Sequence, residues 1–226
     1  MATSILGSSI VKKYWMALTG LFLSVFLIVH LAGNLQLLGG EGSRLGFNEY
    51  AKFMTSFPLI KISSYLLYFS ILFHAFDGIL LTIQNRKARP IKYAYEKPSA
   101  NSIWASRNMG LLGTIILVFI VTHMANFWAK MHWGEMPMDA NNNKDLYEVV
   151  IAFFKDPSLG LVFTSIYVIA MIALAFHLWH GFASAFQSLG VNHPKYNGII
   201  KSVGFGFAVI IPALFAVIPL YIYLFA

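Results

Sequence analysis

The chain has 226 residues, of which 58% are hydrophobic and 11% charged, with a formal net charge of +7 and no cysteine. Soluble domains run nearer ~45–50% apolar and ~25% charged, so the composition excludes an ordinary water-soluble fold. The missing cysteine excludes disulfides, iron–sulfur ligation and covalent c-type haem on this chain, and basic residues that adjoin apolar segments without forming a domain of their own exclude nucleic acid as a partner.

Five apolar segments reach the ~20 residues needed to cross a bilayer: 14–38, 62–83, 109–128, 159–189 and 199–226. They predict an all-α integral membrane protein of five transmembrane helices in one membrane domain, 1–226. Lys12 and Lys13 before the first span give it the look of a signal peptide, but its apolar run is too long and no small-residue cleavage site follows, so it is read as retained. The longest interruption, 129–158, carries Asp139-Ala140-Asn141-Asn142-Asn143-Lys144-Asp145, a turn-rich loop outside the bilayer. A cytoplasmic N-terminus collects Lys12, Lys13, Arg86, Lys87, Arg89, Lys92, Lys97, Arg107, Lys195 and Lys201 on the inner side with Glu96 as the only loop acid there; six basic residues and seven acids fall outside. The positive-inside bias therefore predicts this orientation. Anionic membrane lipid accounts for the inner charge, and an acidic soluble partner beneath the membrane is the second reading.

Four spans hold one histidine each that needs a partner in hydrocarbon: His30, His74, His123 and His177. At ~1.5 Å per residue, His30 and His123 lie ~25 Å from the inner edge and His74 and His177 ~18–20 Å. Gly20 and Gly113 each precede an outer histidine by ten residues, while Gly78 and Gly181 each follow an inner one by four. The two-helix unit is used twice, with the fifth helix added. The matched glycines are read as clearance for a flat macrocycle, and the two levels of histidine as axial ligands of two six-coordinate haems. Zinc would want one compact tetrahedral cluster, which the difference in depth opposes.

Phe26-Leu27-Ile28-Val29-His30-Leu31-Ala32-Gly33-Asn34, Phe73-His74 with Gly78, Val121-Thr122-His123, and Phe176-His177 with Gly181 and Gly190 together resemble the five-helix, di-haem cytochrome b subunit of succinate:quinone oxidoreductases and quinol:fumarate reductases. The resemblance covers nearly the whole chain. It implies a haem-binding four-helix bundle of helices I–IV plus helix V, with a distal haem b on His30 and His123 and a proximal haem b on His74 and His177. It also implies a flavoprotein subunit and an iron–sulfur subunit docked on the cytoplasmic face of a bacterial inner membrane, exchanging electrons with a quinone, expected to be menaquinone. The chain would then be an electron-transfer subunit and not an enzyme on its own.

His180 competes with His177 for the fourth position, but the family spacing to Gly181 and Gly190 and the echo of His74 and Gly78 both select His177. His180 and Asp77 are each three residues inward of a ligand and are expected to meet and tune the inner haem. The carboxylate that fumarate-reducing relatives carry near helix II is missing from Lys52–Pro58, which leaves Asn34, Gln36 and Glu49 as quinone candidates. Two other functions stay open at this stage: the cytochrome b anchor of a hydrogenase or formate dehydrogenase, and a haem-free proton-coupled transporter with a histidine relay.

Overall fold

The computed structural model describes residues 9–88 and 102–226; the basic residues Arg89, Lys92 and Lys97, with Glu96, lie outside the described residues. The described chain is all-helical, with no strand beyond an isolated bridge between Met138 and Lys144. Helix α1 spans Ser9–Asn34, and a 3-10 stretch, Leu35–Ser43, leads into α2 (Arg44–Ser56) and α3 (Pro58–Lys87). The short α4 (Trp104–Arg107) precedes α5 (Met109–His123), which continues through a π-helical turn, Met124–Trp128, into α6 (Ala129–Trp133). Helices α7 (Leu146–Phe154), α8 (Gly160–Ser188) and α9 (Pro194–Phe225) complete the chain. Five of these helical runs are long and apolar enough to cross a membrane, making this a multi-pass architecture. In hydrocarbon a helix satisfies its own backbone, which is why uniformly apolar runs settle into this form.

Neighbouring helices run antiparallel. Gly78 of α3 faces Met16 of α1, whereas His74 lies beside Thr19 and Gly20, so one helix ascends as the other descends. Phe182 of α8 packs on Gly204 and Phe207 of α9. The turn between these two helices is set by Gly190, whose φ of +85° suits glycine. Val191 N donates to Phe186 O at 3.0 Å and Gly190 N to Gln187 O at 3.1 Å, closing α8 with the paired bonds of a Schellman motif. Pro58 and Pro194 open their helices where no intrahelical N–H is needed. Pro212 and Pro219 sit inside α9 and are buried, a placement that close helix packing in membranes tolerates.

One end of the bundle, the basic end, carries Lys12, Lys13, Arg86, Lys87, Arg107, Lys195 and Lys201. The other is covered by a cap that the sequence pattern does not announce. The α-helical part of the first span stops at Asn34 instead of running to 38, and the loop expected at 129–158 is helical at both ends. The cap packs Leu37, Phe47, Tyr147, Val150 and Phe154 against Leu31, Ile218 and Ile222 of the spanning helices. Its polar centre is Asp145, with no exposed surface, which accepts from Arg44 Nε at 2.8 Å and from Asn48 Nδ2 at 2.9 Å. Asp145 Oδ1 also caps α7 through Glu148 N at 3.1 Å. Asn48 donates to Asp139 at 3.1 Å and accepts from Tyr147 N at 3.0 Å, tying α2 to both sides of the turn. The turn itself is wound around Asp139, which accepts from Asn141 N and Asn143 N, both at 2.9 Å.

The Asn143 N–H holds the Asp139 carboxyl below its usual range, helped by Asn48 and Asn141. Burial alone would raise Asp145, but hydrogen bonds from Arg44, Asn48 and the Glu148 N–H outweigh it and lower its pKa as well. Folding thus depresses both pKa values, so the stabilisation is complete above the ordinary Asp value of ~3.9 and is lost as the pH falls below it. Amide protection in 139–148, taken relative to the intrinsic exchange rate at each pH, should be flat from pH 8 to 5 and fall in acid; a fall centred near pH 6.5 would point to histidine instead. Arg44→Met, which leaves the Asp145 carboxylate buried without its cation, should cost roughly 2–4 kcal/mol, a figure reduced for the partial exposure of Arg44.

Candidate functional site

The four span histidines come together as two separate pairs. His30 of α1 and His123 of α5 have ring centroids 5.8 Å apart with planes crossing at 86°. His74 of α3 and His177 of α8 are 6.0 Å apart at 63°. Two imidazoles holding one metal ion from opposite sides, each through a bond of ~2.0–2.1 Å, place their ring centroids roughly 6 Å apart. Both pairs therefore fit axial ligation of one iron each. Among the described residues no three His, Asp or Glu side chains gather around one point as a zinc site would require.

The capped-end pair is framed by aromatic rings at repeated spacing. Phe26 stacks on His30 and Phe119 on His123, each one turn before its histidine, with centroids 5.1 and 5.5 Å apart. Phe215 of α9 adds a third ring beside His30, and Phe127 and Tyr167 close around His123. These rings exclude water from the capped-end pair. They also join it to the cap, because Phe154 of α7 contacts both Phe127 and Tyr167.

The ring nitrogens have unequal partners. His74 Nδ1 lies 3.2 Å from Thr19 Oγ1, and His123 Nδ1 lies 3.3 Å from the Tyr167 hydroxyl. Asn34 Nδ2 is 3.4 Å from His30 Nδ1 and donates to the His30 carbonyl at 2.8 Å. His177 Nδ1 is buried and, among the described residues, has no partner. A metal-bound histidine is normally oriented through its second nitrogen, so Thr19 and Tyr167 belong to the site although the sequence reading passed over both. The available signal was a hydroxyl in an apolar span beside a glycine already singled out, at Thr19.

The glycines divide. A Cβ on Gly20 would stand 3.2 Å from His74 Cε1, and one on Gly113 3.9 Å from His177 Cε1, so both face the basic-end pair. What they clear directly is the histidine ring. Gly181 faces open space, and Gly78 meets only the terminal methyl of Met16 at 3.7 Å, which leaves room beside that pair.

The remaining candidates are scattered. Asp77 is buried and near enough to His74 to act on it electrostatically, and His180 acts likewise on His177, but among the described residues no hydrogen bond or ion pair joins Asp77 to His180. The expected meeting of those two side chains is not formed. Gln36 turns toward Gly46, 4.0 Å from where a Cβ would lie. Glu49 lines a cavity of about 350 Å³ with Lys52, Phe53, Ser56, Asn141 and Asn143, on the surface of the cap. Asn34, Gln36 and Glu49 therefore do not converge on one pocket.

Comparison with protein-family models, with curated proteins and with solved structures yields no match to this chain.

The unequal clearance at the two glycines separates their substitutions. Gly113→Ala fits within ordinary contact and should be neutral or stabilise by about 0.5–1 kcal/mol through helix propensity. Gly20→Ala forces the His74 ring to move by a few tenths of an ångström and should lose that gain. Thermal unfolding of the two variants in detergent checks the order, and a more stable Gly20→Ala would contradict it.

Proposed function

We propose that this chain is a di-haem cytochrome b that anchors a succinate dehydrogenase or fumarate reductase complex in the bacterial cytoplasmic membrane. The observation that carries the reading is the assembly of four intramembrane histidines into two pairs at iron-bridging separation. Haem b, when bound, supplies reversible one-electron chemistry, and the two haems in series would connect an iron–sulfur subunit with membrane quinone. The protein's own part would be to supply four imidazoles to the irons, with Thr19 and Tyr167 orienting His74 and His123 and aromatic rings surrounding the capped-end pair. His30 and His123 would hold the distal haem, with His74 and His177 holding the proximal one.

The basic end would supply the surface for a flavoprotein and its iron–sulfur partner: Lys12, Lys13, Arg86, Lys87, Arg107, Lys195 and Lys201 lie at the end of the bundle nearer the His74–His177 pair. This orientation puts the N-terminus in the cytoplasm, in keeping with the positive-inside rule. Quinone, in this reading menaquinone, would react near the capped-end pair. Asn34 adjoins that pair through His30, which favours it over Gln36 and Glu49 as a quinone contact.

A reduced-minus-oxidised spectrum with haem quantitation on the purified complex should give two b haems per copy; none at all would sink the reading. Covalent flavin in a copurifying subunit is expected, whereas nickel or molybdenum would transfer the chain to a hydrogenase or formate dehydrogenase. His30→Ala or His123→Ala should chiefly remove one low-spin signal, and His74→Ala or His177→Ala the other. His180→Ala should keep both, and loss of the proximal signal in that variant with its retention in His177→Ala would reverse the assignment.

A further inference from the structure

The two halves of the bundle are matched at the glycines but not beside them. Gly20 and Gly113 each precede a capped-end histidine by ten residues, so Thr19 of α1 and Leu112 of α5 occupy equivalent positions. Thr19 is buried, 6% exposed, with its hydroxyl 3.2 Å from His74 Nδ1. Leu112 is equally buried, packs against Ala173 one turn from His177, and has nothing to offer a ring nitrogen. The neighbouring Gly113 faces the His177 ring, a Cβ there lying 3.9 Å from Cε1, and among the described residues His177 Nδ1 has no partner.

Thr19 has a single hydroxyl hydrogen. It is directed to the Trp15 carbonyl at 2.7 Å, the shortest of its contacts, with Met16 O farther at 3.3 Å. With that hydrogen committed, the Thr19 oxygen can only accept from His74, so the proton of the neutral imidazole sits on Nδ1. Nε2 is then the nitrogen with a free lone pair. Gly20 completes the arrangement, since a Cβ there would crowd the ring edge that Thr19 holds.

We propose that Thr19 is a positioning residue that fixes His74 as the Nδ1–H tautomer and strengthens it as a ligand through Nε2, and that the Leu112 counterpart leaves His177 the weaker member of the pair. The proposal rests on the haem reading above and adds an asymmetry that the reading does not contain. A hydrogen bond from Nδ1–H makes the opposite nitrogen a stronger donor, which favours oxidised iron and lowers the potential of the haem it serves. Chained bonds of this kind, Nδ1–H to Thr19 and Thr19 to Trp15, reinforce one another.

The test is a redox titration of the purified haem-bound complex carrying Thr19→Val, Thr19→Ser or Leu112→Thr. Thr19→Val keeps the shape and removes the hydroxyl, so the potential of the proximal haem should move positive while the distal haem stays unchanged, and haem retention at the proximal site should weaken on the order of 10-fold or more. Thr19→Ser keeps the hydroxyl and should restore the wild-type potential. Leu112→Thr offers His177 the missing acceptor and should move the same haem negative. Unchanged proximal potential in Thr19→Val, or a shift that Thr19→Ser fails to reverse, overturns the assignment while leaving two haems in place. Wild-type protein without haem overturns the reading beneath it instead, and the two failures are told apart by the spectrum before any titration.

Discussion

A polar ring inside hydrocarbon has no water to turn to, and that constraint organises this molecule. A span histidine looks for its partners within the bundle, because an unsatisfied group there costs several kcal/mol, a cost that His177 Nδ1 bears among the described residues. Helices α1 and α5 bring His30 to His123, while α3 and α8 bring His74 to His177. Antiparallel packing is what makes this possible, since histidines at one level on alternate helices can face one another only if the chain passes back and forth. Glycine allows the approach at Gly20, and aromatic rings fill the space around the capped-end pair.

The pairing of the histidines was legible because the rise per residue of a helix hardly varies. Counting from the basic residues at the helix ends sorted the four histidines into the two pairs that the structure brings together. Rotation about the helix axis was not legible to the same degree. Asp77 and His180 share a depth, yet they do not bond, because their directions depend on how α3 and α8 are turned by packing, which an internal echo of sequence does not determine. A shared level is a weaker condition than a shared face.

The cap escaped the sequence reading for a different reason. Hydrophobic windows detect long uniform runs, and α2 is short, with only Phe47, Asn48 and Ala51 buried among polar residues. Its anchor is polar as well. Asn48 and Asp145 are almost one hundred positions apart in the chain, and nothing local marks them as partners. The same Asp139–Asp145 run that reads as a turn-rich loop outside the bilayer is wound around its own carboxylates and buried at Asp139, Asn143 and Asp145. Composition describes the turn correctly and says nothing about whether another element closes over it.

The twofold repeat fails in an informative pattern. It holds along the helix interiors, where Phe26 and Phe119, Gly20 and Gly113, and His30 and His123 correspond, and it breaks beyond each capped-end histidine. After His30 the chain keeps α geometry only to Asn34 and then tightens into a 3-10 stretch; after His123 it widens at once into a π turn. Tight and wide turns shift the following residues around the axis in opposite senses, so the two repeats leave the bundle aimed at different places. One exit leads to Arg44 and Asn48, the other to Asp139 and Asp145, and these meet over the His30–His123 pair through Phe154 and Tyr167. A symmetric exit would duplicate one surface on both sides. The asymmetric one supplies a cation and an amide from one half to carboxylates from the other, which is what a closed cap needs.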